Sequence, residues 1–366
     1  MNFERTLTLI KKFRYEIIAV FFTVYGMYLR FMRLANREYW CDEVSSLQRL
    51  LGPFRPVWQR FNYTDFTYFP GEYIINWPFV YFFKTNKWGN AIPHILLTLL
   101  GFYLLYLICR RYFHSVFSWI ATFALVAVHR DLIFHSFELR QYSVLPVIAL
   151  TAFYFTEEII SKRYSLSLAR KVFIGFLFTF SIIYHVYGAI ILFFTFVYFM
   201  LRESGERSFS DIFRHNFRFI LTLVIIGLPL YLWYSLGSPE FYKSSGYIVY
   251  TFEYIPNPVY DFFSFVKSNL CNLVGNRALY FLGLALIFPF IFPYRERLKQ
   301  IGFLLVLIIL PIMCIFYVNL LIRYHILQRQ FTWAMPLFAF FLGWCVDSFI
   351  RFIRQKSERK SLKKFE

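Results

Sequence analysis

Apolar stretches long enough to cross a lipid bilayer recur along the whole of this chain, and several of the segments between them are short and basic. A membrane span needs roughly 17–25 apolar residues, fewer when the helix is embedded among others. The stretches lie at about 15–34, 91–109, 115–129, 142–158, 172–185, 187–201, 217–236, 278–293, 300–322 and 331–350. The composition agrees: 58% of the 366 residues are hydrophobic and only 16% charged, where a soluble domain carries about a quarter charged residues. No Ser/Pro/Gly-rich linker, low-complexity tract or internal period divides the chain. The reading is therefore an all-α polytopic membrane protein, a single domain over 1–366, with about ten transmembrane helices. Aromatic residues make up 23% of the chain and read as interfacial belts.

The first stretch follows Lys11, Lys12 and Arg14, as a signal peptide would. It runs on to about residue 34, however, takes in Arg30 and Arg33, and shows no small-residue cleavage pattern. It reads as an uncleaved first helix. The apolar block 172–201 is too long for one span. We divide it at Tyr184-His185-Val186-Tyr187-Gly188, because one straight helix would put the next loop on the wrong side.

Ten helices with both termini inside place 5–14, 110–111, 162–171, 202–218, 295–299 and the tail 351–366 on one face. Each of these segments is basic, as the positive-inside rule requires of cytoplasmic loops. The net charge of +18 is then mostly an orientation signal, with the tail also suited to anionic lipid. Nucleic acid is a poor partner, because the charge is spread over several loops and forms no single patch.

The outer face then holds two large segments, 35–90 and 237–277, and two short ones, 130–141 and 323–330. Within the first, Val44, Leu47, Leu51, Phe54, Trp58 and Phe61 recur every three or four residues. That is the pattern of an amphipathic helix lying in the interface, broken near Gly52-Pro53. Pro70 to Phe83 is apolar but too short to span, and reads as a second interfacial element.

Polar residues collect on this face in three places. Directly after the first span come Trp40-Cys41-Asp42-Glu43, two adjacent carboxylates where a helix leaves the bilayer. Charges there are costly and mark a site or a solvated cap. The second cluster is 129–142; if Phe134 to Tyr142 is helical, His135, Glu138 and Tyr142 share one face and Arg140 lies off it. The third is Arg323-Tyr324-His325 with Gln328-Arg329-Gln330. The chain has no H-E-x-x-H, no paired Cys and no Walker loop, which argues against an ATP-driven transporter subunit. Cys41 and Cys271 would both face outward, but five scattered cysteines read as unpaired.

These residues resemble a known family. Trp40-Cys41-Asp42-Glu43-Val44-Ser45-Ser46 is similar to the W-x-D-E-x-x-S motif that opens the first external loop of GT-C membrane glycosyltransferases, the protein O-mannosyltransferase-like and aminoarabinose-transferase-like enzymes. Glu138-Leu139-Arg140-Gln141-Tyr142 resembles their E-x-R-x-Y, and Gln328-Arg329-Gln330-Phe331 with Met335-Pro336 resembles their late R-Y…P element. The chain departs from the family at Tyr68-Phe69-Pro70, where His-Pro-Pro is usual, and at Gln330, where Tyr is usual.

The resemblance implies a GT-C fold and an inverting transfer of sugar from a polyprenyl-phosphate donor. The acceptor would be a glycan, a lipid or a protein, on the extracytoplasmic face of a bacterial plasma or inner membrane. Asp42 would take the acceptor's proton or orient it, and Glu43, about 100° round the helix, would orient or cap. Arg140 and Arg329 would hold the donor phosphate, because guanidinium matches its geometry. His135, Glu138, Tyr142, Asp65, Tyr68 and His185 would shape the sugar and acceptor pocket. The cofactor is unknown, and a divalent metal ion at Asp42 stays open. Two other readings stand beside this one, a polyprenyl-lipid flippase or transporter and a non-catalytic membrane subunit of a polysaccharide assembly complex. The first predicts charges near the bilayer midplane and repeated halves; the second has no need of Asp-Glu next to a first helix.

Overall fold

The computed structural model describes residues 12–51, 70–162, 165–204, 214, 294–321 and 331–362, and among these it is helical with no strand. Four helical stretches are long and apolar enough to cross a membrane: Arg14–Ala35, Lys87–Tyr112, Gln141–Lys162 and Ala334–Ser357. Shorter apolar helices accompany them at Val116–Val128, Tyr187–Arg202 and Lys299–Ile315. The chain is thus a multi-pass α-helical membrane protein. The spans expected at 217–236 and 278–293, the outer segment 237–277 and Cys271 lie outside the described residues.

In chain order the helices are α1 (Arg14–Ala35), α2 (Cys41–Leu50), α3 (Pro70–Phe83), α4 (Lys87–Tyr112), α5 (Val116–Val128) and α6 (Arg130–Phe134). A single 3-10 turn at Gln141–Ser143 leads into α7 (Leu145–Lys162), followed by α8 (Leu168–Tyr184) and α9 (Val186–Ser204). The described part then resumes with α10 (Tyr294–Leu304), a π-helical turn at Leu305–Ile309, α11 (Leu310–Leu321) and α12 (Ala334–Leu362). The block 172–201 does break, at His185, whose backbone is extended between α8 and α9. Asn86 starts α4 before its apolar run begins, by accepting from the N–H groups of Trp88 and Gly89 with its side chain. The basic tail expected at 351–366 continues α12 as far as Leu362.

Helix α7 is central and α1 peripheral, so α1 leaves Val20, Phe21 and Val24 exposed, the face a lipid would cover. Helix α5 is wedged between α1 and α12. The approach is close enough that a Cβ at Gly26 would stand 3.1 Å from the Ala127 Cα, and one at Gly343 would stand 2.0 Å from the Thr122 Oγ1. Small residues at such crossings let helix backbones meet without a hydrophobic driving force. An aromatic core of Phe113, Phe153, Phe303, Phe340 and Trp344 fills the middle of the bundle with stacked and edge-on rings.

Beyond that core, buried acids tie the helices together. Asp347 of α12 accepts from the N–H groups of His114 and Ser115, both at 2.8 Å, and so caps α5. Its other oxygen lies 3.0 Å from Arg351. Glu157 takes the Tyr198 hydroxyl at 3.2 Å and Arg202 at 3.5 Å, joining α7 to α9. Glu158 pairs with Arg170 of α8 at 2.9 Å. The opposite end of the bundle carries the polar clusters singled out in the sequence.

Candidate functional site

Residues 37–40 have no regular structure, Trp40 is extended, and α2 begins at Cys41 with Asp42 and Glu43 in its first turn. Trp40, at the cap position, does not cap the helix with its side chain. The two carboxylates are the negative groups that an uncapped amino end favours. They meet different surroundings: the Glu43 side chain is fully buried and that of Asp42 is 29% exposed.

Glu43 is the centre of a staple. Arg37 folds back over α2 and donates to both Glu43 oxygens, at 2.5 and 3.1 Å. The same guanidinium donates to the Phe137 carbonyl at 2.7 Å. The Leu139 N–H then donates to Glu43 Oε1 at 2.9 Å. Segment 137–140 is therefore pinned to the start of α2. Burial pushes the Glu43 carboxyl up from its usual range, and Arg37 beside it opposes the rise.

This staple brings Arg140 onto α2. Its Nη1 donates to Ser46 Oγ at 3.3 Å, and its Nη2 stands 3.7 Å from Asp42 Oδ2. The carboxylate and the cation that the two motifs contribute are thus neighbours, at the partly exposed start of α2. Arg140 also lies within electrostatic reach of Tyr184 and His185 at the α8–α9 break. His185 is buried, and its Nδ1 accepts from the Tyr187 N–H at 3.1 Å.

One expectation needs correction. Phe134 to Tyr142 is not a helix: α6 ends at Phe134, and Arg140 is extended before the 3-10 turn. Pinning by Glu43 and Arg37 holds the segment open, because the Leu139 N–H and the Phe137 carbonyl are engaged outside it. His135, Glu138 and Tyr142 meet all the same. His135 Nδ1 is 3.0 Å from both Glu138 oxygens, and its ring centre is 6.2 Å from that of Tyr142. Helix α2 turns one face to the protein. Glu43, Ser46, Leu47 and Leu50 turn inward, while Val44 and Leu51 are exposed. The Arg37 pair fixes the rotation, and Leu47 and Leu50 settle against Val80 and Leu139. Phe54, Trp58, Phe61, Asp65, Tyr68 and Arg329 lie outside the described residues.

Several polar residues of this region escape sequence reasoning. His94 of α4 lies between Asn76 of α3, at 2.8 Å from Nε2, and Ser143, at 2.7 Å from Nδ1. The Ser143 hydroxyl is also 2.9 Å from the Arg140 carbonyl, so this chain of contacts supports the turn that carries Arg140. Thr332 Oγ1 donates to the Tyr142 carbonyl at 3.0 Å, tying the residues before α12 to the same turn. The available signal was a histidine inside an apolar run, which is costly unless partnered.

The residues around Asp42 make a poor cation cage. Glu43 is turned into the protein and Arg140 stands where a divalent ion would be repelled. Among the described residues no group of three or more His, Cys, Asp or Glu gathers to hold a metal. Cys41 is a free, exposed thiol. Compared with known proteins, the chain matches no family model, no curated protein and no solved structure.

Proposed function

We propose that the chain is a membrane glycosyltransferase, moving a sugar from a polyprenyl-phosphate-linked donor to a glycan, lipid or protein acceptor on the extracytoplasmic face, with inversion. The topology that goes with it has ten spans and both termini in the cytoplasm. One observation supports this reading above the others. The Asp42 carboxylate, partly exposed, sits 3.7 Å from the buried Arg140 guanidinium, and the fully buried Glu43 between Arg37 and the Leu139 N–H pins the neighbouring backbone.

Transfer from a lipid phosphate needs two things of a protein. The leaving phosphate must be met by fixed positive charge, and the attacking hydroxyl must lose its proton. Asp42 takes that proton, and its exposure gives an acceptor hydroxyl access. Arg140, with Arg329, meets the phosphate; hydrogen bonds to Ser46 and the staple at Glu43 hold it ready. His135 and Glu138, locked to each other, and Tyr142 line the side where the sugar sits.

The test is transfer of radiolabel from polyprenyl-phosphate sugars by membranes carrying the chain, with Asp42→Asn as control. The reading predicts label in a non-donor product, and loss of about 10²-fold or more in the variant. No transfer to any acceptor from a panel of hexosyl and pentosyl donors would sink it.

A further inference from the structure

The turn between α3 and α4 folds the two helices back along each other. Gly89 lies so close against Phe83 that a Cβ there would overlap the ring. Asn90 Nδ2 donates to the Lys84 carbonyl at 2.8 Å, and Asn76 Oδ1 lies 2.8 Å from His94 Nε2. Paired residues move apart in number away from the turn, so α3 runs antiparallel to α4. Helix α4 is long and apolar enough to cross a membrane, and His94 lies two turns into it, about 10 Å along the axis. With 14 residues, α3 is about 21 Å long, short of the roughly 30 Å of hydrocarbon in a bilayer. Its far end still packs on the bundle, where a Cβ at Gly71 would stand 2.6 Å from the Tyr184 Cα. Set along a membrane-crossing helix, α3 stands in the bilayer rather than lying flat in the interface.

The faces of α3 are reversed from those of a helix in water. Glu72 and Asn76 are buried against the protein, while Ile74 and Tyr81 are each 42% exposed and Phe82 76%. The three apolar side chains share about 80° of the helix, and Glu72 and Asn76 each lie about 160° from Ile74. A helix in water turns its polar side outward and its apolar stripe to the core. The inverted pattern is costly against water and favourable against hydrocarbon. The turn marks where the hydrocarbon stops. Lys84 Nζ lies 4.5 Å from the centre of the Tyr81 ring, and Lys84, Thr85 and Asn86 are exposed, as is Trp88. A cation with Tyr and Trp at one level is the residue set of a membrane–water boundary. We infer that α3 is a half-membrane helix, and that its outward face of Ile74, Tyr81 and Phe82 is a docking surface for the hydrocarbon chains of bilayer lipids. Lipid on one face and the Asn76–His94–Ser143 contacts on the other make α3 a wall between the bilayer and the turn that carries Arg140. The inference does not depend on sugar transfer.

The experiment replaces Ile74, Phe82 or Thr85, one at a time, with the photoreactive residue p-benzoylphenylalanine in the full chain in membranes. After irradiation the purified protein is weighed intact. Positions 74 and 82 should gain the mass of a phospholipid, and position 85, in the exposed turn, should gain none. A cross-link from 74 or 82 to another segment of the chain, or the mass of a dimer, shows that protein covers the face and overturns the inference. Absence of a lipid adduct at both positions overturns it too. A second measurement keeps the side chains small. In Cys41→Ser protein, which lacks the exposed Cys41 thiol, Phe82→Cys and Thr85→Cys are treated with a water-soluble maleimide. The thiolate is the reactive form and is not stable in hydrocarbon, so Phe82→Cys should label about tenfold more slowly than Thr85→Cys. Equal rates would show that water covers the face, and the docking surface would fall.

Discussion

One methylene and about 100° of helix separate the surroundings of Asp42 from those of Glu43. Asp42→Asn removes charge and basicity from a partly exposed side chain, so transfer should fall by about 10²-fold or more while the melting temperature stays near wild type. Glu43→Gln does the reverse. It leaves the buried Arg37 without its counter-charge, a loss of about 3–5 kcal/mol for a broken buried pair. Its mark should be a clear drop in melting temperature, with any loss of transfer following from that. Retained stability in Glu43→Gln would show that the staple is dispensable. Arg140→Ala and Arg329→Ala should raise the donor concentration needed for half-maximal rate by roughly ten- to a hundredfold. Kinetics unchanged with varied donor would leave Arg140 only its role against Asp42 and Ser46.

Helix positions in this chain follow from local pattern; helix rotations and the shape of 135–140 do not. Apolar length places α1, α4, α5 and the start of α12 within a few residues, since a bilayer demands that length whatever the neighbours are, while α12 runs on through the basic tail to Leu362. The interruption at His185 is legible for the same reason. Which side of α2 meets the protein was not legible: Val44 stays exposed, while the Arg37–Glu43 pair turns Ser46, Leu47 and Leu50 inward. Arg37 and Phe137 are 100 residues apart, and nothing in either segment announces the other. His94 with Asn76 and Ser143 is hidden likewise, each residue unremarkable until the third dimension joins them. At this scale the tightest test is the α5–α12 crossing. Gly343→Ala drives a methyl into Thr122 Oγ1 and the Ser118 carbonyl, and should lower stability by about 1–3 kcal/mol. A melting temperature equal to wild type would mean that the two helices can part without cost.

For the whole molecule, the proposed topology has both termini in the cytoplasm and 35–90 and 237–277 outside. Single cysteines introduced near Ser244 and Ser357 should label from opposite sides of intact cells, and labelling of both from one side would reverse or break the topology. The cap that Asp347 places on α5 has a bearing on how such a bundle comes to exist. Ser115 and Asp347 are 232 residues apart, so α5 leaves the ribosome long before its cap does. Through that interval the Ser115 side chain meets the Phe117 N–H, but the His114 and Ser115 N–H groups just ahead of α5 lack the acceptor that Asp347 later supplies. Helix α5 must wait, loosely held, with α1 already made and α12 still to come. The arrival of one carboxylate near the carboxyl end then closes the wedge from the side away from Asp42. Biogenesis of this protein thus has a late, single-residue latch, and a nascent chain stalled before residue 347 should be the form that quality-control proteases recognise.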